Sequence, residues 1–323
     1  MVIFLSKGGQ LCNRLWHFSH VLVNSRQYGY ALVSDSLAEY GHYFSEALSA
    51  LNADNSGTRV LRPQDRLLRV FLRLCRLLHR FRGISRYLPF YLPIHFLHFS
   101  WEEGEYYNLR HEEFRRCAKY GLVTLDGWFF MDRQSMRERR DWLRKTLSPN
   151  PEVLETCTKY VGEARENADV IVGVHIRRGD YAKYYAGEFF YTHEEYKSWM
   201  QEIAAALGAE GKVVRFLICS NEKVDLHFYE PLYVQRGPGS EIHDLYALTK
   251  CDYILGPPSS YSAWASFMGE VPLCVIRSRN DEVSLSSFTV ADVYPPDGPV
   301  HAREPHSPPA RATAQEYATE ASH

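Results

Sequence analysis

The sequence predicts an α/β protein built from parallel, doubly wound sheets, and three observations carry that reading. Short β-branched apolar runs alternate with segments of helical period, which is the rhythm of βαβ units. Glycine, serine and charged residues follow directly on several of those runs, where open α/β sheets bind their ligands. A length of 323 residues accommodates one large or two medium units with ample area for buried cores.

In chain order, Val2 to Leu5 reads as a first strand. Ser6-Lys7-Gly8-Gly9-Gln10-Leu11-Cys12-Asn13-Arg14 follows, and then a helix with apolar residues at Leu15, Phe18, Val21 and Leu22. Such a glycine loop lets a ligand approach the backbone and aims helix amides at it, with Asn13 and Arg14 as side-chain donors. A plain turn capped by Asn13 explains the same residues. Tyr30 to Ser34 reads as a second strand.

Residues 62–82 place arginines at 62, 66, 69, 73, 76 and 80 among leucines, a basic amphipathic helix. It suits either a solvated outer face or peripheral contact with an anionic membrane surface. Tyr87 to Trp101 has no clean period and reads as an irregular packed connection. Leu122 to Phe130 is expected as a strand and Ser135 to Leu147 as a charged helix. Ser148-Pro149-Asn150-Pro151 breaks it. The first unit is therefore expected over 1–150 and the second over 151–298, with 299–323 a disordered tail of Pro, Ala, Glu, His and Ser.

The second half alternates clearly. Strands are expected at Val170 to Ile176, Val213 to Cys219, Tyr233 to Gln235, Tyr253 to Leu255 and Pro272 to Ile276. Helices are expected near Thr192 to Leu207, briefly after Asn221, near Glu241 to Thr249, and from Ser260 to Met268. The centre of the chain is Val172-Gly173-Val174-His175-Ile176-Arg177-Arg178-Gly179-Asp180-Tyr181. A buried strand there delivers two arginines, a glycine and an aspartate to its carboxyl end. Guanidinium groups fork onto phosphate oxygens, so a diphosphate is the natural ligand, with Asp180 orienting an arginine. An Arg-Asp pair that merely ties a loop down would use the same residues.

Three further strand ends and helix starts are polar: Ser220 and Asn221, Glu241 and Asp244, and Ser259, Ser260 and Ser262 around Tyr261. In a doubly wound sheet these ends share one crevice. Gly256-Pro257-Pro258-Ser259-Ser260-Tyr261-Ser262 starts a helix whose amides and hydroxyls suit phosphate oxygens. Asp244 suits a ribose or base edge, or equally the helix dipole.

The net charge of −2 gives no long-range pull toward nucleic acid. Seven cysteines are scattered without paired or zinc spacing. No Asp-x-Asp stands at a strand end, so no metal site is expected. The amino terminus lacks a basic region and a long apolar run, so the expectation is a cytoplasmic protein, peripheral at most at the inner face of a membrane through 62–82.

His175-Ile176-Arg177-Arg178-Gly179-Asp180-Tyr181 resembles the motif of the α-1,2-fucosyltransferases, in the wider group with the α-1,6- and protein O-fucosyltransferases. Gly9 to Arg14, Asp126-Gly127-Trp128-Phe129 and Asp244 through Trp264 line up with three further family segments in family order. The resemblance implies a GT-B-like arrangement of two Rossmann-like domains facing a central cleft. It implies a GDP-fucose donor held mainly by the second domain, and inverting transfer to a glycan, polysaccharide or glycolipid acceptor with no metal or other cofactor. On it, Arg177 meets the β-phosphate, Arg178 shapes the same pocket, His175 orients the loop, and Asp244 with Ser259 to Ser262 holds the nucleotide. Cys12, Pro258 and Ala263 depart from the family pattern. A non-catalytic nucleotide- or glycan-binding protein of the same fold, or a transferase for another nucleotide sugar, would keep the same pocket.

Overall fold

The computed structural model describes residues 1–62, 64–80, 94–100 and 106–294. In the first half the strands are β1 (Val2–Phe4), β2 (Leu32–Ser34), β3 (Arg59–Val60), β4 (Ile94–Phe99), β5 (Tyr107–Asn108), β6 (Leu122–Gly127) and β7 (Phe130–Met131). Its helices are α1 (Leu11–Tyr28), α2 (Ser45–Ala53), α3 (Arg66–Arg80), α4 (Glu112–Tyr120), α5 (Arg133–Glu138) and α6 (Arg140–Thr146). The second half holds α7 (Pro151–Arg165), β8 (Val170–Ile176), α8 (His193–Ala209), β9 (Val214–Ser220) and β10 (Val234–Arg236). It ends with α9 (Glu241–Leu248), β11 (Tyr253–Gly256), α10 (Ser260–Gly269) and β12 (Leu273–Val275).

Two five-stranded parallel sheets result, in the orders β3-β2-β1-β6-β4 and β10-β9-β8-β11-β12. Each begins at a central strand, works outward to one edge, and returns to build the other side. The direction of winding therefore reverses between β1 and β6 and between β8 and β11. Such a reversal leaves a crevice at the strands' carboxyl ends. The architecture is the two-Rossmann-domain, GT-B-like one.

Both sheets are covered on both faces, which explains why their strands read as continuous apolar runs. All seven residues of β8 are buried. Its Ile171 joins the core that includes Cys157 of α7 and Leu245 of α9, whereas Val172, Val174 and Ile176 join Trp199 and Ile203 of α8. In β1, Val2 and Phe4 face α1, and Ile3 packs with Leu72 and Cys75 of α3. Helix ends follow local chemistry: α1 stops at Gly29 in the left-handed region (φ 68°), and α8 starts with a Thr192–Glu195 capping box.

The halves meet along α1 and α10. The Trp16 and Trp264 rings stand edge to face at 5.1 Å, and Trp16 Nε1 donates to Ser260 O at 3.1 Å. Such a ring pair is worth about 0.5–1.5 kcal/mol beyond its buried area.

The structure departs from the sequence reading in three places. The stretch expected as an irregular connection contains β4, paired parallel to β6 from Ile94–Leu122 to Phe99–Gly127; the rest of 87–101, apart from Ser100, lies outside the described residues. The helix expected over 135–147 is broken at Arg139, whose backbone (φ −114°, ψ 17°) leaves the helical region. The strand expected over 122–130 ends at Gly127, because Phe130 and Met131 pair with β5 instead. The expected tail at 299–323 lies outside the described residues.

Candidate active site

The two reversal points face each other across a cleft of about 630 Å³. From the first half it is lined by Gly9, Gln10, Cys12 and Asn13 after β1 and by Trp128 and Phe129 after β6. From the second it is lined by Arg177, Asp180 and Tyr181 after β8, Glu241 of α9, and Ser259, Ser260 and Tyr261 after β11; Tyr294 completes it.

The first wall is held by close backbone approaches. A Cβ on Gly8 would lie 2.6 Å from the Trp128 indole, so only glycine admits that ring. Gly9 takes φ 69°, and Arg14 Nε donates to its carbonyl at 3.1 Å. Arg14 also pairs with Glu39 at 3.0 Å, so it braces the loop from behind and does not line the cleft. Phe129 has φ 57°, a strained value for an aromatic residue and one that marks functional turns. The buried His17 ring stands edge-on to Trp128 and Phe129 at 5.1 and 5.6 Å; burial lowers its pKa to about 3, so it is neutral packing.

Arg177 dominates the second wall. Its Nη2 donates to Asp180 Oδ2 at 2.9 Å and to Gln10 Oε1 at 3.3 Å, and its guanidinium lies 5.7 Å from the Tyr181 ring. All its hydrogen bonds run through Nη2. Nε and Nη1 make none among the described residues and remain as donors for an anion. Ser259 caps α10 by accepting from Tyr261 N at 3.2 Å, and buried Ser262 donates back to Ser259 O at 3.3 Å. Of the stacked serines, Ser260 lines the cleft with a hydroxyl that makes no hydrogen bond among the described residues, beside the positive end of the α10 dipole.

Several expected site residues do not line the cleft. Arg178 is turned away: it donates to Tyr191 O at 3.0 Å, pairs with Glu222 at 2.8 Å and lies over Phe190 at 4.4 Å. Asn221 accepts from Arg178 N at 3.1 Å and packs against Gly179 at φ 54°, where a Cβ would meet it at 2.7 Å; Ser220 accepts from Glu222 N at 3.2 Å. Asp244 is buried and accepts from Gly239 N at 2.6 Å, holding the loop after β10; burial raises its pKa. His175 lies beneath the cleft floor, stacked on Tyr261 at 4.8 Å. Burial, and then Arg177, lower its pKa to about 3, so it is neutral.

Glu241 is the site residue that sequence reasoning placed only at a helix start. The residue is open to solvent on its outer side, yet the cleft walls desolvate its carboxyl enough to raise its pKa, against the opposing pull of Arg177. Buried Cys12 beside it has its thiol pKa raised by burial and by Glu241, and is therefore no nucleophile. Tyr294 carried no sequence signal at all. The acidic first turn of α9 did, through its position after a strand.

Two parallel sheets presenting an arginine and a helix N-terminus to a shared cleft fit a glycosyltransferase of the fucosyltransferase-like GT-B type. The chain belongs to glycosyl transferase family 11, whose model matches residues 92–286. A structure of POFUT1 in complex with GDP-fucose aligns at 12% identity over 86% of this chain and 96% of that one, with a TM-score of 0.51. A mutant Arabidopsis thaliana FUT1 in complex with GDP aligns at 12% identity over 89% and 73%, with a TM-score of 0.59. At such identities the likeness is one of fold. No curated protein sequence matches significantly.

Proposed function

We propose that the protein transfers fucose from GDP-fucose to a glycan hydroxyl with inversion and without a metal. The observation that carries this is Arg177, which lines the cleft with Nη2 held by Asp180 and Gln10 while Nε and Nη1 make no hydrogen bond among the described residues. In the reaction the bond between the sugar's C1 and the β-phosphate oxygen breaks as the acceptor oxygen bonds to C1 from the opposite face. The charge that grows on the departing GDP is met by Arg177 and the first-turn amides of α10. The acceptor's proton passes to a carboxylate. Among the described cleft residues the carboxylates are Asp180, already accepting from Arg177, and Glu241, whose raised pKa suits a general base. Family membership and the likeness to a GDP-fucose complex support the donor.

The acceptor is proposed to be membrane-linked, with the protein peripheral at the cytoplasmic face. Helix α3 buries Leu72 and Cys75 but leaves Leu67, Val70, Phe71, Leu74, Leu77 and Leu78 exposed. Arg69, Arg73 and Arg76 of α3 gather with Arg62 and Lys7, an excess of cations over the carboxylates of Asp35, Glu39 and Asp65 that pair with Arg76, Lys7 and Arg62. Leucines outward beside arginines suit an anionic bilayer surface better than water. No helix among the described residues is long and apolar enough to cross a membrane.

Calorimetric titration of GDP, UDP and GDP-fucose in chelator tests the donor reading. Micromolar binding of GDP-fucose and GDP, with UDP much weaker, is the expected result; no binding of any would overturn it. Flotation with anionic and neutral vesicles tests the second part, with binding only to the anionic ones expected.

A further inference from the structure

Away from the cleft, three metal-ligating side chains meet on the α3-covered face of the first sheet. His98 and Asp126 are register partners on the neighbouring parallel strands β4 and β6. His79 reaches them from α3, and one ligand atom of each residue lies within 4.8 Å of the others. None of the three lines the cleft.

Three features set this group apart from ordinary packing. His98 Nδ1 is buried with no hydrogen-bond partner among the described residues. The Asp126 carboxylate is partly buried on the sheet and makes no ion pair or hydrogen bond among the described residues. His79 Nδ1 is engaged by Thr124 Oγ1 at 2.8 Å, and Thr124 lies two residues before Asp126 on the same face of β6. Outer-sphere partners of this kind fix the imidazole plane of a metal ligand and leave Nε2 to the ion.

We propose that His79, His98 and Asp126 bind a zinc-type divalent transition-metal ion that clips α3 to β4 and β6. Two imidazoles and one carboxylate suit zinc and its neighbours, whereas magnesium and calcium prefer all-oxygen sets. Tetrahedral ligand atoms about 2.1 Å from one ion lie about 3.4 Å apart, so side-chain adjustments of up to roughly 1.4 Å close the site from the present spacing of at most 4.8 Å. Water fills the remaining position. The role is structural: the ion would add to the apolar packing of Leu72, Cys75 and Leu68 and to the Arg76 contacts with Leu5 O and Asp35 that already hold α3, most of whose other apolar residues are exposed.

The test uses the untagged full chain, stripped with chelator and titrated with zinc by calorimetry and against a chromogenic chelator. One equivalent at micromolar affinity or tighter is expected, with a melting temperature that rises with zinc. Thr124→Val should weaken binding about 10–100-fold through loss of the outer-sphere partner. His98→Ala and Asp126→Asn should abolish the zinc-dependent rise while GDP affinity, the check that the variants are folded, is unchanged. Failure of the wild-type chain to take up zinc, or uptake that both variants leave unchanged, would overturn the proposal.

Discussion

Arg177 Nη2 donates to Gln10 Oε1 at 3.3 Å, joining two residues 167 positions apart in the chain. The bond spans the cleft, since Gln10 belongs to the loop after β1 and Arg177 to the loop after β8. Separating the two halves breaks it, and an anion bound to Nε and Nη1, which make no hydrogen bond among the described residues, leaves it intact. The arginine is thus both donor and latch.

Arg177→Ala is expected to leave a folded protein whose GDP affinity falls about 10–100-fold, the loss of one charge-assisted contact. Turnover should fall about 10²–10³-fold, because the contact strengthens as the phosphate leaves. Arg177→Lys should recover little, since it cannot fork. Arg178→Ala should do the reverse: stability falls by about 1–2 kcal/mol as Glu222, Tyr191 O and Phe190 lose their partner, while GDP affinity holds. Calorimetry with GDP and thermal melts of both variants separate the two roles.

Glu241→Gln is expected to remove the acid limb of the rate profile. The working form is the carboxylate, so the rate should rise with pH through a pKa above the ordinary glutamate value of 4.5. The stability effect has the opposite sign. The folded state holds this proton more tightly than the unfolded chain, so the contribution is present below 4.5 and is lost as pH rises through the folded value. Single-turnover rates against pH decide the role: a variant with weaker GDP binding and an unchanged profile would make Glu241 a donor contact.

Much of this architecture is legible in the sequence. The run from Val170 to Ile176 declares a buried strand because both of its faces are covered, and Thr192 with Glu195 declares the start of α8. Turns directly after strands put Asn13 and Ser260, in the first turns of α1 and α10, and Arg177 into the cleft. What sequence could not separate is Arg177 from Arg178, because consecutive residues leaving a strand point to opposite sides and neither carries a mark of which. Strand β4 was hidden by His95 and His98, one on each face, which blur the apolar alternation. His79, His98 and Asp126 come from three elements and meet only through strand register, so no spacing reveals them.

Acid should destabilise the protein well before its carboxylates titrate. Burial lowers the pKa of His17 to about 3, of His20 to about 4 and of His175 to about 3, against an ordinary 6.5. Between those values and 6.5 the unfolded chain takes up protons that the folded state refuses. Stability is therefore full above 6.5 and declines as pH falls toward 3. Melting temperatures at pH 7.5 and 5 should differ by several degrees, with the lower at pH 5. Replacing His17 by Gln should narrow the gap, and a flat profile would mean that these rings are protonated in the fold.

Gly127 is where the first half's wall of the cleft is most exposed to a single methyl group. Its φ of 113° lies outside the range of L side chains, and a Cβ would stand 2.0 Å from Phe99 O, its register partner on β4. That oxygen also accepts from Trp128 N at 2.8 Å, so neither it nor the turn can move without lifting the Trp128 indole from Gly8. Gly127→Ala should cost about 2–4 kcal/mol, a fall of roughly 5–10 °C in melting temperature, and should raise the acceptor KM more than the donor KM. Gly162→Ala on the exposed face of α7, where a Cβ meets nothing within 4 Å, is the control. It should be neutral or stabilise by about 0.4–1 kcal/mol, because it only restricts the unfolded chain.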